Sequence, residues 1–401
     1  MIDPEAEESR EGSFQGIKPM HTPTITNVIY SIPKLAIVIV AFGLPQISLL
    51  GDGIPYYPTS FPLNDEEPSK LPSILDGLER NRDLDFAEHR AWLGRPLQRA
   101  MNVDRNDRSE SSFYYGVEHV DWKMRRRDLD FAVTHSGSAL AIGSGEIKEL
   151  SFERDGNFKA FMGFKLGDGW KAGLIYSNYR TAQSMAAESQ SAGSLFATRS
   201  HPKYNEEAFD AEIAAIFESN VFDAEVRGDM DLSERATVTF FGGLRWMDVA
   251  QNVATAYDGL DFNQGLITQQ NQSDLFGLRL GGAGSFSISD DFYLFGSVEV
   301  TLAYGDHAVT LNETDNEFGT QDILVDVQDT YVQGHLLSAA SFGVGWEFAG
   351  GYDLKLGYEI NYWGGLADRL VFLDDTHEAM FSHETEDILM DGFSVRLSRD
   401  Y

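Results

Sequence analysis

From residue 112 onward the apolar positions of this chain recur with a period of two. The clearest case is Tyr352-Asp-Leu-Lys-Leu-Gly-Tyr-Glu-Ile-Asn-Tyr362. One face carries Tyr352, Leu354, Leu356, Tyr358, Ile360 and Tyr362, the other Asp353, Lys355, Gly357, Glu359 and Asn361. Strict alternation over about 9–11 residues suits a tilted strand that crosses a bilayer. The pattern returns from Phe158 to Leu166, Phe222 to Leu232, Val238 to Trp246, Phe276 to Ile288, Phe292 to Tyr304 and Phe342 to Phe348. It ends on Phe393, Val395, Leu397 and Tyr401.

This spacing predicts ten strands, near 112–124, 157–167, 170–180, 219–233, 235–248, 273–288, 291–305, 330–348, 351–364 and 386–400. Tight turns at Gly167-Asp168-Gly169, Ser233-Glu234, Ser289-Asp290 and Gly350 alternate with long polar stretches at 125–156, 181–218, 249–272, 306–329 and 365–385. The expected fold is therefore all-β: a transmembrane antiparallel up-and-down barrel with short periplasmic turns and long external loops. Segment 208–217 alternates too, and Asp155-Gly156 is a hairpin signal, so twelve strands is the competing count. Aromatic residues cluster at strand ends. Trp170, Phe292, Trp346 and Tyr352 stand near the turns, and Trp246, Tyr304 and Tyr362 near the loops, as two interfacial belts.

The first part of the chain reads differently. Residues 1–53 are expected to be a leader and export signal built on the apolar run Leu35 to Leu44, with Lys34 before it and Met20 as an alternative start. That run is too short for a spanning helix, which needs roughly 20 apolar residues. Residues 54–111, rich in Pro, Asp, Glu and Arg, read as a polar linker or a periplasmic or plug segment, leaving 112–401 for the barrel.

Composition changes this picture little. A mean hydropathy of -0.27 would suit a soluble protein, but alternating strands hide their apolar face from such an average. With 63 acidic against 31 basic side chains the net charge is -32, which argues against nucleic-acid binding. There is no cysteine, which excludes disulfides, thiolate metal sites and a cysteine nucleophile.

Alternation assigns the polar face to the lumen. The expected pore-lining residues are Lys159, Lys165, Lys171, Asp223, Glu225, Arg227, Arg245, Arg279, Glu299, Glu347, Asp353, Lys355, Glu359 and Arg396. The signs nearly balance. Such charges either line a water-filled passage for small polar solutes or pair off to fill a closed, structural barrel. A lipase or protease barrel is the third class, but catalysis is not expected. His377-Glu-Ala-Met-Phe-Ser-His383 places Phe381 where H-E-x-x-H needs its second histidine, and no G-x-S-x-G occurs. Gly281-Gly-Ala-Gly284 lies within a strand, where glycine permits curvature. No cofactor or structural metal is expected. The acidic segments Asn312 to Glu317 and Asp322 to Asp329 are candidates for Ca²⁺ or for bridging to lipid phosphates through divalent ions. Outer-membrane lipid is the expected partner, and homo-oligomerisation is left open.

Two stretches carry a family resemblance. Phe222-Asp-Ala-Glu-Val-Arg-Gly-Asp-Met-Asp-Leu-Ser-Glu-Arg runs into Phe240-Phe-Gly-Gly-Leu-Arg-Trp246, and Asp274-Leu-Phe-Gly-Leu-Arg-Leu-Gly-Gly282 is followed by Phe292-Tyr-Leu-Phe-Gly296. Over about 112–401 the chain resembles the Legionella-type pore-forming outer-membrane proteins, which implies a porin-like barrel in the outer membrane. Under that resemblance Tyr401 looks like the closing aromatic that barrel-assembly machinery reads, with Arg399 interrupting the apolar face before it.

Overall fold

In the computed structural model the described residues are 113–400, apart from 136–144, 168, 190–193, 204–206, 317–321, 349–350, 374–375 and 377–379. The expected leader, linker, closing Tyr401 and His377 lie outside them.

The strands in chain order are β1 (Phe113–Arg125), β2 (Asp130–Thr134), β3 (Glu146–Glu149), β4 (Arg154–Gly167), β5 (Trp170–Glu188), β6 (Leu195–Ala197) and β7 (Asp210–Ser233). They continue with β8 (Ala236–Gly259), β9 (Phe262–Ser287), β10 (Phe292–Asp315), β11 (Asp322–Phe348), β12 (Tyr352–Phe372) and β13 (Phe381–Asp400). Ten of them close into an antiparallel ring, β1-β13-β12-β11-β10-β9-β8-β7-β5-β4. β4 returns to β1 with Phe113 opposite Phe164. Closure matters because hydrocarbon offers backbone amides no partner, so a spanning sheet must have no free edge. Among the described residues no helix is long and apolar enough to cross a membrane.

The strand register draws the membrane boundary. Tyr176, Phe222, Trp246, Phe276 and Tyr304 face one another in turn across five adjacent strands and form one aromatic row. The next outward-facing row is Asn178, Asn220, Asp248, Asp274 and Asp306, where the surface turns polar. At the short-turn end Phe292 stacks on Trp346 and Phe348 on Tyr352. From Phe292 to Tyr304 the strand runs ~40 Å, or about 30 Å across the membrane at a tilt of about 40°, which matches a hydrocarbon core with its interfaces. Between the rows Leu280, Val298 and Leu302 remain more than 60% exposed, as lipid-facing side chains should be. Arg399 does not disturb this surface, because its guanidinium lies 4.8 Å over the Tyr352 ring.

The ring has the expected ten strands, but three expectations about its outer end are corrected. Most of the stretches read as long loops are strand. β8 and β9 run on to meet in a tight turn at Gly259–Phe262, where Gly259 takes a φ of 83°. Segment 208–217 runs from residue 210 as the outer part of β7, and Asp155-Gly156 lies inside β4, so neither adds strands eleven and twelve. The cause is continued pairing: once two strands are hydrogen-bonded through the membrane, extending the ladder satisfies backbone groups that a loop would leave to water. The remaining connections, β1 to β4 and β5 to β7, are not simply polar. They carry a small sheet, β3-β2-β6, and buried Leu129, Phe131, Leu150, Phe152 and Leu195. These side chains join one apolar cluster with Met247, Val249, Leu275 and Ile388 from the wall, and so plug the outer half of the lumen.

The belt assignment predicts a depth-dependent penalty. Val298→Arg, midway between the aromatic rows, is expected to cost about 2–4 kcal/mol, whereas Ile323→Arg, equally exposed but beyond the outer row, should cost close to nothing. Denaturant titration of the protein folded into lipid vesicles measures both, and equal costs would contradict the assigned boundary.

Candidate functional site: a blind vestibule under an aromatic lid

The lumen divides into two parts of opposite character. On the short-turn side a cavity of about 850 Å³ reaches Ser287, Gly351 and Asp400 at the mouth. Of the fourteen residues predicted to line a passage, Lys159, Lys171, Asp223, Arg227, Arg245, Arg279, Glu299, Glu347, Asp353, Lys355, Glu359 and Arg396 line this vestibule. Lys165 instead pairs with Asp400 at 3.1 Å, and Glu225 is buried between Arg227 and Arg279.

Strand alternation delivers these charges to one another as well as to the lumen. Arg245 donates two parallel bonds to Asp223, at 2.7 and 2.8 Å, and a further one to Glu299 at 3.0 Å. Arg279 binds Glu299 through Nε at 2.9 Å and Glu225 through a terminal nitrogen at 2.5 Å. Arg396 holds Glu118 at 2.6 and 2.9 Å, and Lys159 reaches Glu359 at 2.5 Å. A buried charge costs several kcal/mol unless it is paired, and this network pairs them. Little uncompensated charge is left to select a solute by sign.

Sequence reasoning missed the vestibule's aromatic lining. Phe161, Phe241, Phe295 and Tyr293 point inward with cations over them: Arg396 lies 5.1 Å from the Phe161 ring and Arg279 4.7 Å from Phe241. Room for the rings comes from glycine on the facing strand. A Cβ at Gly281 would fall inside the Phe241 ring, and one at Gly345 inside Tyr293. The signal was present in Phe240-Phe241 and Tyr293-Leu294-Phe295, where both faces are apolar. Glu118 was also missed, although it occupies the inward parity of β1 with Tyr114 and Trp122.

A chain of rings crosses the lumen above the vestibule. Trp122 lies 5.5 Å from Tyr179, Tyr179 5.9 Å from Phe217, and Phe217 6.0 Å from Trp363. The Lys159 ammonium sits 4.9 Å from the Trp122 ring and caps the polar zone against the apolar one. Beyond the rings comes the plug, whose backbone is bolted to the wall. Tyr257 Oη donates to the Phe131 carbonyl at 2.5 Å. Arg126 binds Gln251 at 2.7 Å, and Arg199 spans from Gln269 to the Asp128 carbonyl, each at 2.7 Å. Arg369 of β12 reaches Asp130 at 2.8 Å.

The acidic segments proposed for calcium prove to be strand ends. Glu313 and Asp315 close β10, and Asp322 opens β11. Asp315 accepts the backbone N–H of Asn316 at 2.6 Å, and Glu313 accepts that of His201 at 2.9 Å. Among the described residues no group of three His, Asp or Glu side chains is arranged to hold a metal ion. Well outside the membrane band, burial pushes the Glu313 carboxyl up to about 7, helped by neighbouring Asp315 and opposed by the His201 N–H.

One family model and several solved structures are similar to this chain. The family model described as Legionella pneumophila major outer membrane protein precursor matches residues 107–400. No curated protein matches the chain in sequence. Similar solved structures include the outer membrane protease OmpT from Escherichia coli, 9% identical over 72% of this chain and 97% of that one, with a TM-score of 0.41. The translocator domain of autotransporter NalP from Neisseria meningitidis is 12% identical over 79% and 96%, with a TM-score of 0.32. A Pseudomonas aeruginosa FadL homologue is 8% identical over 73% and 90%, with a TM-score of 0.22.

The Glu313 environment sets a pH dependence. Its folded-state value is raised from 4.5 to about 7, so between those pH values the native state holds a proton that the unfolded chain releases. Stability present at low pH is therefore lost as pH rises through that window. Glu313→Gln keeps an acceptor for His201 and is expected to stabilise the protein by about 1–3 kcal/mol at about pH 8, with no effect near pH 4. Thermal unfolding at both pH values checks this.

Proposed function

Since the chain belongs to the Legionella major outer membrane protein family, we propose that it serves as a plugged outer-membrane barrel, structural and surface-projecting, with no standing passage through its lumen. The observation that supports this most is the complete burial of Leu129, Phe131 and Leu195, each 0% exposed, inside the outer half of the ring. An open state populated to about 1% requires the plug to be held by no more than about 2.7 kcal/mol. Each large apolar side chain it would expose costs about 1.5–3 kcal/mol. Two of the five plug residues already exceed that limit. The reading assigns the chain no catalysis.

The vestibule favours a second reading, a gated pore for small polar solutes. A polar chamber open at the short-turn end is what such a pore would present below its gate.

Planar-bilayer recording separates the two. Purified wild-type protein is expected to insert without conductance steps, and steady channel openings would overturn the closed reading. Phe131→Asp places a charge in the plug, where an unpaired one is strongly disfavoured. If this variant folds and conducts, the gated reading is supported; if it folds and stays silent, the structural reading is.

A further inference from the structure

The outer wall of the barrel is not evenly sewn. β11 and β12 pair only from Leu337↔Trp363 to Phe348↔Tyr352. Beyond Leu337, β11 continues to Asp322 alongside β10 alone. Beyond Trp363, β12 passes an irregularity and runs to Phe372 alongside β13. On its other flank β13 loses its partner as well, because β1 ends with Arg125 opposite Leu389. Among the described pairings, residues 367–372 and 381–386 therefore form a two-stranded hairpin with a strand partner on neither side. An isolated hairpin is marginal in water, so side chains must hold it to the barrel.

Two sets of side chains do so, and they differ in charge. At the foot of the seam Ser273, His307, His335 and the Gly364 carbonyl form one chain across β9, β10, β11 and β12. The distances are 2.8 Å from Ser273 to His307, 2.9 Å between the two Nε2 atoms, and 3.0 Å from His335 to Gly364. Proton placement is consistent with two neutral rings: Ser273 donates to His307, His307 to His335, and His335 to the carbonyl. The upper set is different. His383 Nδ1 lies 2.7 Å from Asp368 Oδ2 of β12, and its Nε2 lies 2.9 Å from Asp329 Oδ2 of β11. An ionised carboxylate only accepts, so both ring nitrogens must carry hydrogen and the imidazole must be charged. Tyr331 Oη donates to the same Asp368 oxygen at 2.5 Å, and its ring meets His383 edge-on. The other charged neighbours pair among themselves: Arg369 binds Glu384 at 2.7 Å and, across the lumen, Asp130 of the plug at 2.8 Å.

We propose that the outer halves of β12 and β13 form a flap, latched to the wall by protonated His383 between Asp329 and Asp368 and released when that histidine loses its proton. A neutral imidazole would turn a lone pair toward one of the carboxylates, and the bridge across the seam would become repulsive. Burial alone would lower the histidine's affinity for its proton, but the hydrogen bonds to Asp368 and Asp329 outweigh it and raise the value above 6.5. The latch contributes fully at low pH and is lost as pH rises through that raised value. The flap itself carries buried Leu370, 4% exposed, and Phe372, whose ring centroid lies 4.2 Å from that of His201. Release would bare this apolar layer on the outer side of the membrane. The device holds whether or not the lumen conducts.

Hydrogen exchange of the full-length protein in lipid or detergent, followed by mass spectrometry and corrected for intrinsic rates, tests it. Between about pH 6 and about pH 9, amides of 367–372 and 381–386 are expected to lose protection by up to about tenfold per pH unit from about 6.5, and to level off above the latched histidine's raised value. The β8–β9 hairpin should keep its protection throughout. His383→Gln should show the unlatched exchange already at about pH 6. A flap whose protection relative to β8–β9 does not change with pH, or a His383→Gln variant indistinguishable from wild type at low pH, would overturn the proposal. Should that variant not fold, nitrogen chemical shifts of His383 in the wild type decide: two protonated nitrogens near neutral pH support the latch, and a neutral ring overturns it.

Discussion

A peptide group in hydrocarbon has no water to turn to, and each one left unpaired costs several kcal/mol. For this chain the constraint is met by a single closed ring of ten strands, with β4 returning to β1. The other structural features follow from it. Closure forces successive side chains to alternate between lipid and lumen, so Leu280 and Val298 can remain bare while, one residue away, Arg279 is buried and Glu299 half-buried. The alternation in turn makes the lumen polar through the membrane band. A polar lumen in a ten-stranded ring is narrow, and its charges must find one another. Arg245 with Asp223 and Arg396 with Glu118 show how they do so, from strands far apart in sequence.

Where the wall leaves the membrane the constraint relaxes and the lumen changes character. Water replaces lipid outside, so inward positions are free to be apolar, and the chain fills them with its own connections. The Trp122–Tyr179–Phe217–Trp363 row marks the change. Below it the interior is a paired electrolyte with room for solvent, and above it an ordinary hydrophobic core wrapped in a cylinder of strands. The relaxation has a further consequence at the rim. Pairing between β11 and β12 lapses only beyond Trp363, and there hydrogen-bonded side chains substitute for the ladder.

The membrane-spanning part was legible because lipid on one face and charge on the other write a period of two, as in Tyr352 to Tyr362. That period also assigns fourteen charged side chains to the lumen, and the structure places twelve of them along the vestibule. The outer half was not legible in the same way. Ile213-Ala-Ala-Ile-Phe217 is buried on both faces, which removes the alternation, and a strand extending from β7 reads as a loop or a separate strand. Leu129, Phe131, Leu150 and Phe152 are spaced through polar sequence, and nothing local says that they turn back into the ring. The latch was hidden for another reason. In the sequence His383 reads as half of a metalloprotease-like string, whereas its partners Asp329 and Asp368 come from two other strands and meet it only through the register.

The absence of cysteine from the chain opens a direct measurement of both faces of the wall at once. Single cysteines at Leu280, on the lipid side, and at Phe131, in the plug, would carry nitroxide labels in protein reconstituted into lipid vesicles. Collision with oxygen reports on hydrocarbon, and collision with a water-soluble nickel chelate reports on an aqueous path. The account predicts oxygen without nickel at Leu280 and neither probe at Phe131. Nickel reaching Phe131 in folded wild-type-like protein, or reaching Leu280 at all, would contradict it.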